Sequence, residues 1–201
     1  ILYNTNVVTY RELPTGWDSL LEPRWKGRMA VPDPLKSDMA ASVLTEAAKN
    51  SEKEEFLDLL AENMQYQMPE TFKEVEQGIS DGRYSIGVTS EEAAKAMLAA
   101  GQDVDYIDPE EGECFFEDGT AIRKRTPNLD ASEAFVTYTT CDDTKWLLRT
   151  QLLRQPAEDV AAENDRSDED LKQRYSRQQE VLNIWKLIME EKSGSAHEQE
   201  Q

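Results

Sequence analysis

Histidine, cysteine and basic residues are scarce in this 201-residue sequence, which has one His, two Cys, and 22 Lys and Arg against 41 Asp and Glu. The formal net charge is −19 and the isoelectric point is near 4.4. Proteins that bind nucleic acid or an anionic membrane surface present Lys and Arg to phosphate groups, so this balance argues against both partners. No apolar run approaches the roughly 20 residues that span a bilayer. What remains is an acidic globular domain, long enough to bury a core.

The groups needed for catalysis are few. The single histidine, His197, lies in a polar tail, so a Ser-His-Asp or Cys-His arrangement has no base. There is no zinc-ligand spacing and no Gly-rich phosphate loop. The carboxylates could supply a hydrolase in principle, but most are explained as solvated faces, as in 46–58 and 158–170. The sequence therefore predicts no catalytic residue, no metal and no cofactor.

The two cysteines, Cys114 and Cys141, leave two states open. In an exported protein they could form a disulfide, and in a cytosolic protein they would be free thiols. Spacing alone does not place two Cα atoms within bridging distance.

Hydrophobic periodicity predicts a mixed α/β fold, because helices and strands alternate along the first half of the chain. Ser37 is expected to cap one helix, and Thr89 with Glu92 has the spacing of a capping box. Strands are predicted at 1–9, 28–32, 84–88, 104–107 and 115–123, and helices at 38–49, 53–66, 70–80, 89–100, 130–140, 142–153 and 176–191. Residues 156–174 are expected to form an acidic surface connection, and 193–201 a frayed tail.

The start of the sequence carries no initiator Met and is already strand-like. Nothing there has the charged head and apolar middle of a signal peptide. We therefore expect the chain to begin at a truncation, with further sequence before Ile1.

An ordered set of short segments runs through the chain. They are Tyr3-Asn4-Thr5, the stretch from Trp17 to Arg28, Pro32-Asp33-Pro34 with Ser37, Ser85 to Thr89, Pro109 to Gly112, Asp118 to Ile122 with Asn128, and Leu153 to Pro156 with Asp159-Val160. Together they resemble the C-terminal half of ABC-transporter solute-binding proteins of the type 2 periplasmic-binding fold. The similarity is greatest to the iron(III), sugar-phosphate and phosphonate branch.

The resemblance implies an α/β fold of two lobes, with the N-terminal lobe largely missing from this chain. Residues 1–113 would form the second, ligand-binding lobe, with a hinge strand at its start. Residues 114–201 would form the return across the hinge and the C-terminal helices, which pack on the first lobe. Such a chain on its own would expose apolar surface.

Two helix starts are the ligand-binding candidates that this resemblance implies. At the first, the Ser37 hydroxyl and the N–H groups from Asp38 onward would hold a phosphate or carboxylate, or Ser37 would only cap the helix. Many relatives have Gly and then Thr or Ser after this serine, and the carboxylate of Asp38 here would repel an anion. Asp38 is therefore a departure from the family pattern.

The second candidate is Thr89-Ser90-Glu91, after a buried strand. Its hydroxyls and carboxylate could form hydrogen bonds with hydroxyl groups or an amine of a ligand. Alternatively, the segment could be a capping box with no role beyond the helix start. Iron-binding relatives place adjacent tyrosines near this point. Because the sequence has no Tyr-Tyr pair, ferric iron is disfavoured.

Asn4 and Thr5 lie on the expected hinge strand. Their side chains could face the ligand cleft, or they could have only a structural role in the strand or its turn. The indole rings of Trp17 and Trp25 are expected to be structural anchors, and Trp185 to pack in the core through the final helix.

The resulting hypothesis is a non-enzymatic solute-binding subunit of an ABC importer. It would be a periplasmic or extracellular monomer, with a lipid anchor before Ile1 as one option. It would capture a small polar or anionic solute between two lobes and deliver it to a membrane permease. A phosphorylated or phosphonate compound, another carboxylated molecule and a polyamine all stay open as ligands. The rival hypotheses are a carboxylate-dependent hydrolase and a ligand-sensing domain that reuses the same fold.

Overall fold

The computed structural model describes residues 1–114, 120–150 and 168–198. The chain divides into two compact units. Unit 1 consists of Ile1–Cys114 with Glu169–Gln201, and unit 2 of Phe115–Asp168.

Among the described residues, unit 1 contains a sheet of four short strands in the order β2-β3-β1-β4. These are β1 (Leu2–Asn4), β2 (Met29–Ala30), β3 (Ile86–Gly87) and β4 (Val104–Tyr106). Strand β2 is parallel to β3, whereas β1 is antiparallel to both β3 and β4. Strands β2, β3 and β4 therefore all end at one edge of the sheet, the carboxyl edge, where β1 begins.

Helices of unit 1 cover both faces of this sheet. The part of the chain that the structure describes contains α1 (Asp38–Asn50), α2 (Phe56–Asn63), α3 (Phe72–Ser80), α4 (Glu91–Ala99), α5 (Leu129–Thr140), α6 (Asp142–Thr150) and α7 (Asp168–Glu198). Short 3-10 helices lie at Tyr10–Glu12, Asp18–Leu21 and Pro23–Trp25. Within the described residues, none of these helices is long and apolar enough to cross a bilayer.

Strand alternation divides the apolar core of unit 1 into two clusters, because successive side chains point to opposite faces. On β1, Tyr3 belongs to the larger cluster and Leu2 to the smaller one. The larger cluster packs apolar residues of α1, α2 and α7 against one face. The smaller cluster packs α3 and α4 against the other face. The sheet is thus the middle layer of three.

Gly87 sets how closely α3 approaches β3. A Cβ atom on Gly87 would lie 2.7 Å from the carbonyl oxygen of Ala30 and 2.7 Å from Cγ1 of Val75. Neither contact is tolerable for a Cβ atom, and the Ala30 oxygen belongs to the backbone. Glycine is therefore required here by space.

The C-terminal helix α7 completes the larger cluster. Val181, Trp185 and Ile188 are buried at helical spacing, and Trp185 is 0% exposed. The sequence-based division grouped 114–201 as one region, but the structure places α7 in unit 1 with the first 114 residues. The reason is the apolar stripe of α7, which packs against residues of α1 and α2. Whether the two units correspond to parts of two lobes stays a prediction.

Unit 2 contains the helices α5 and α6. Its apolar side chains are largely exposed, with Phe135 at 58% and Trp146 at 60%. Thr144 is the one buried residue of these two helices in the described range 120–150. A pair of helices with this surface does not bury a core of its own.

Most predicted elements of unit 1 are present, but several are shorter. The predicted strand at 1–9 ends at Asn4, because the N–H groups of Val7 and Val8 turn back to the Asn4 carbonyl oxygen. Helix α1 begins after Ser37 as predicted. Helix α7 begins earlier and ends later than the predicted 176–191, and it continues into the region expected to fray.

The strand predicted at 115–123 is not found in its described part, since 120–123 carries no strand. Residues 115–119 lie outside the described residues. Residues 156–167 of the expected acidic connection also lie outside the described residues. Residues 168–174, the rest of that expected connection, instead form the first two turns of α7.

Candidate ligand-binding site

The carboxyl edge of the sheet brings the two predicted helix starts to one side of unit 1. Strands β2 and β3 are parallel neighbours, and the N–H of Val88 donates to the carbonyl oxygen of Ala30 at 3.1 Å. The chain after β2 leads to Ser37, and the chain after β3 leads to Thr89. In open α/β sheets, ligands bind where loops leave the carboxyl ends of parallel strands. This edge is therefore the candidate site.

A tight turn carries the chain from β2 to Ser37. Oδ1 of Asp33 accepts from the N–H of Leu35 at 2.9 Å, which closes an Asx turn. The N–H of Asp33 donates to the carbonyl oxygen of Pro69 at 2.8 Å, which ties the turn to the segment before α3. The turn thereby fixes where α1 begins.

Ser37 is the N-cap residue of α1. Its backbone is extended, and its Oγ accepts from the N–H of Ala40 at 3.3 Å. Because Oγ is the acceptor in this bond, the hydroxyl proton can still be donated to a ligand. Ser37 is half-buried, so the capping role and a binding role are compatible.

The first turn of α1 presents further donors. The N–H groups of Asp38 and Met39 have no acceptor within the helix, and the helix dipole favours negative charge at this end. The exposed carboxylate of Asp38 offsets part of that attraction. The ammonium group of Lys36 lies 3.8 Å from the carboxylate of Glu70, and both side chains are exposed. Lys36 directly precedes Ser37 in the sequence, but its positive charge is paired with Glu70.

At the second helix start, the structure changes the predicted cap. Ser90, not Thr89, is the N-cap of α4, and its Oγ accepts from the N–H of Ala93 at 3.1 Å. The Thr89 hydroxyl instead donates to Oε1 of Glu76 on α3 at 2.7 Å. The predicted capping box of Thr89 and Glu92 is wrong because a tertiary contact takes the hydroxyl.

Glu91 begins α4 and forms an ion pair with Lys95 one turn later. The Glu91 carboxylate is the principal cause of the raised pKa of Lys95, through their hydrogen bond. Glu91 is exposed, so water screens this pair and its contribution to stability is small.

Asn4 and Thr5 lie at the opposite edge of the sheet from Ser37 and Thr89. Because β1 is antiparallel to β3, its last residue pairs near Ser85, where the Asn4 N–H donates to the Ser85 carbonyl oxygen at 3.0 Å. The Asn4 side chain is 4% exposed. It donates to the carbonyl oxygen of Ile79 at 2.7 Å and accepts from the N–H of Asn6 at 2.9 Å. Asn4 therefore holds the end of α3 against β1.

Three acidic residues at the carboxyl edge were not predicted as site residues. Glu76 contacts Thr89, and Asp108 follows the end of β4. The pKa of Glu113 is raised, first by partial loss of hydration and then by the negative charges of Asp108 and Glu91. Asp108 could have been predicted as a site residue, because ligands in such folds bind where strands end. Glu76 lies within a helix, and nothing in the sequence pattern indicates that it contacts Thr89.

The tryptophans expected to be anchors are buried. Trp17 is 5% exposed and Trp25 is 2% exposed. The indole Nε1 of Trp17 donates to the carbonyl oxygen of Gly112 at 3.0 Å. The Glu111 carboxylate accepts from the backbone N–H groups of Trp17 and Asp18, each at 3.0 Å. Glu111 thus joins the segment after β4 to the start of a 3-10 helix.

Cys114 and Cys141 are free thiols in the structure. They belong to different units, and their pairing stays a prediction. Burial is the main cause that raises the pKa of Cys114 to about 11. The pKa of Cys141 is lowered, first by the hydroxyl of Thr144 and then by backbone N–H groups at the start of α6.

Within residues 1–114, 120–150 and 168–198, no three His, Cys, Asp or Glu side chains are grouped so that they could hold a metal ion. The chemistry at the carboxyl edge is instead that of hydrogen-bond donors at one helix start and hydroxyl and carboxylate oxygens at the other. This arrangement suits the binding of a small polar molecule.

The chain belongs to the family of bacterial extracellular solute-binding proteins, whose sequence profile matches residues 1–179. No curated protein matches the chain in sequence.

Solved structures of periplasmic binding proteins share the fold. The chain is 17% identical to the periplasmic binding protein AfuA from Actinobacillus pleuropneumoniae, solved with exogenous fructose-6-phosphate, at a TM-score of 0.70. It is 19% identical to the periplasmic binding protein P5PA at a TM-score of 0.67. In both cases the match covers 94% of this chain and 65% of the other.

A ferric binding protein from Campylobacter jejuni has the same fold, at 13% identity and a TM-score of 0.69, over 93% of this chain and 66% of that one. The chain thus spans about two thirds of the length of these proteins. The expected fold, a partial type 2 periplasmic-binding fold of α/β class, is confirmed.

Proposed function

We propose that this chain is part of the solute-binding subunit of an ABC importer and that it binds the anionic group of a small polar solute at Ser37. The observation that supports this most strongly is the placement of two serine-capped helix starts at the carboxyl edge of one sheet. The donors of α1 can hold phosphate or carboxylate oxygens without any metal. Family membership supports the transport role.

The mechanism is capture followed by closure. The carboxyl edge supplies one wall of the pocket, and the N-terminal lobe would supply the other. A solute that contacts both walls favours the closed state by its difference in affinity for the closed and open states. The closed protein would then deliver the solute to a membrane permease.

Several finer properties belong to the same proposal. The protein acts outside the cytoplasm, in the periplasm or at the cell exterior, where a lipid anchor would hold it near the permease. It is a monomer, needs no cofactor and catalyses no reaction. The family, whose members bind solutes outside the cell, supports the location and the partner.

The lobe assignment is also a proposal. Residues 1–113 form the ligand-binding lobe, and the helices α5 and α6 of unit 2 pack on the other lobe. The exposed apolar side chains of Phe135, Tyr138 and Trp146 support this, because such a surface is normally covered.

The test is a titration of the intact protein with inorganic phosphate and with phosphorylated and carboxylated solutes, followed by thermal unfolding. At 100 times the dissociation constant a ligand stabilises the native state by about 2.7 kcal/mol, which shifts the midpoint by several degrees. We expect anionic solutes to give this shift and Ser37→Ala to remove most of it.

Thr71→Ala is the matched control, because Thr71 caps α3 in the same way, with Oγ1 accepting from the N–H of Glu74 at 3.2 Å, and is not one of the candidate ligand-binding residues. Each variant loses one N-cap, at a cost of about 1 kcal/mol without ligand, so both proteins start from similar stability. An anion-induced shift that survives in Ser37→Ala, or that is lost equally in both variants, would contradict the proposed site. If no anionic solute stabilises the wild-type protein, the anion-binding proposal itself is overturned.

A further inference from the structure

The segment from Asn63 to Pro69 runs beside the free edge of β2, the outermost strand of the sheet. The N–H of Gly27 donates to the carbonyl oxygen of Asn63 at 2.7 Å, and the N–H of Asp33 donates to that of Pro69 at 2.8 Å. Both stretches of chain therefore advance by the same even number of residues between the two contacts. Parallel strands in register have this spacing, because their bonding groups alternate from residue to residue. The two ends of the segment thus lie where a further strand would pair with β2.

Between these ends the two stretches of chain are not paired. Among the described residues, no hydrogen bond links the N–H of Met29 or Val31 to the segment, although these residues are only 2% and 4% exposed. Their N–H groups point toward the segment, because the carbonyl groups of Arg28 and Ala30 accept on the opposite side, from the chain that forms β3. An N–H in a buried residue normally has an acceptor. β2 therefore presents two donors that the segment leaves unused.

The backbone of the segment explains the missing bonds. Gln65 and Tyr66 have φ angles of 53° and 56°, which turn the chain out of an extended path. The N–H of Gln65 donates to the carbonyl oxygen of Glu62, and the N–H of Tyr66 to that of Ala61, so the segment caps the end of α2. This left-handed conformation is unfavourable for residues other than Gly, and here two such residues follow one another.

The residue pattern of the same segment is that of a strand. Met64, Tyr66 and Met68 alternate with Gln65 and Gln67, and this period of two is typical of a half-buried strand. The three apolar side chains are part of the larger cluster or pack against it, whereas both glutamines are exposed. An extended backbone would therefore leave each side chain on the side where it already lies.

We propose that residues 64–68 are a two-state segment, which caps α2 in the capped state described above and forms a further strand beside β2 in a second, strand state. In the strand state the N–H of Met29 would donate to the carbonyl oxygen of Gln65. The N–H of Val31 would donate to that of Gln67, in step with the two bonds already present at the ends. The change exchanges the bonds of the helix cap for those of the sheet and relieves the left-handed backbone. Two arrangements of one segment that exchange bonds in this way are close in free energy.

The segment also forms part of a cavity of about 380 Å³, which is lined by Lys26, Glu62, Gln65, Tyr66 and Lys192. Lys192 lies on α7, and its ammonium group is 5.5 Å from the centroid of the Tyr66 ring. Extending the backbone at Gln65 and Tyr66 would reshape this cavity. A molecule bound in it would therefore favour the capped state by its difference in affinity for the two states. The inference does not depend on the proposed anion site.

The experiment measures amide hydrogen exchange of the intact protein, residue by residue, by NMR in two opposing variants. Gln65→Val disfavours a positive φ and favours extended backbone, whereas Gln65→Gly adopts a positive φ freely. We expect Gln65→Val to slow exchange of the Met29 and Val31 amides at least about tenfold, because it adds hydrogen bonds to both. Gln65→Gly should not slow them. The Cα chemical shifts at positions 65 and 66 should change to strand values in Gln65→Val alone.

Gln102→Val is the matched control, because it makes the same substitution at an exposed residue outside the segment. It should leave exchange of the Met29 and Val31 amides unchanged.

The direction of the effect decides the outcome. If the capped state is the only state, Gln65→Val can only strain it, and the Met29 and Val31 amides would exchange faster than in the wild-type protein. That result, or left-handed chemical shifts at position 66 in both variants, would overturn the proposal. Should Gln65→Val fail to fold, Gln67→Val raises strand preference without changing a left-handed residue. It should slow the same two amides by a smaller factor, and unchanged or faster exchange there would overturn the proposal as well.

Discussion

Unit 1 and unit 2 are both rich in helix, but only one of them buries its apolar side chains. In unit 1 the sheet lies between two apolar clusters, and large side chains such as Trp25, Phe56 and Trp185 are almost fully buried. In unit 2 the described residues of α5 and α6 leave Phe135 and Trp146 more than half exposed. Helix content alone is therefore a poor guide to which part of the chain is stable by itself.

The difference has a physical origin in the sheet. A sheet offers two flat faces, and the amphipathic helices of unit 1 each have a face to cover. The described part of unit 2 offers α5 and α6 no such surface. A pair of short helices is marginal without tertiary packing. The comparison predicts that equivalent substitutions will have unequal effects in the two units.

The largest effect is expected from tryptophan truncation. Trp185→Ala should lower the free energy of unfolding by about 3–5 kcal/mol, because it removes a fully buried ring and leaves a cavity. Trp146→Ala in the same 201-residue chain should change it by less than about 1 kcal/mol. Urea unfolding followed by circular dichroism measures both. Similar losses in the two variants would show that α6 is packed in a core after all.

A second contrast concerns the two thiols. Cys141, whose pKa is lowered, should react with a disulfide reagent at pH 8 at least about tenfold faster than Cys114, whose pKa is about 11. As the pH rises, the Cys141 rate should level off at a lower pH than the Cys114 rate, which should keep rising toward pH 11. Cys114→Ser and Cys141→Ser assign the two phases. Protection of both thiols until a reductant is added would instead reveal the disulfide.

The smallest contrast concerns helix caps. The N-cap of α1, Ser37, makes a side-chain bond, whereas Asn128, the N-cap of α5, makes none. Ser37→Ala should therefore cost about 1 kcal/mol of folding free energy, and Asn128→Ala less than about 0.5 kcal/mol. Chemical unfolding of the two variants gives the comparison. An equal cost would mean that the Asn128 side chain caps α5 in solution.

The candidate site could be predicted from the sequence where it depends on interactions between residues that are close together in the chain. Ser37 was predicted to cap α1, and it does, because the bond to Ala40 spans only three residues. Thr89 has the same local signal but is engaged by Glu76, thirteen positions earlier on another helix. No pattern of spacing could have shown that contact.

The direction of β1 in the sheet was the second feature that could not be predicted from the sequence. The residues of β1 were correctly predicted to form a strand, but nothing in their pattern says that β1 is antiparallel to β3. That direction alone moves Asn4 and Thr5 to the edge away from Ser37. Asp108, in contrast, lies at the end of a predicted strand and could have been included in the site by the same reasoning that included Thr89.

Helix α7 gives unit 1 a particular order of assembly. The sheet and its first helices are complete by Cys114, yet the ring that fills the centre of their larger cluster, Trp185, is translated some seventy residues later. Closing such a long loop is slow compared with forming local helices. During synthesis the larger cluster of unit 1 therefore stays incomplete until Trp185 has been translated, and apolar surface left exposed in this way makes a folding intermediate prone to aggregation.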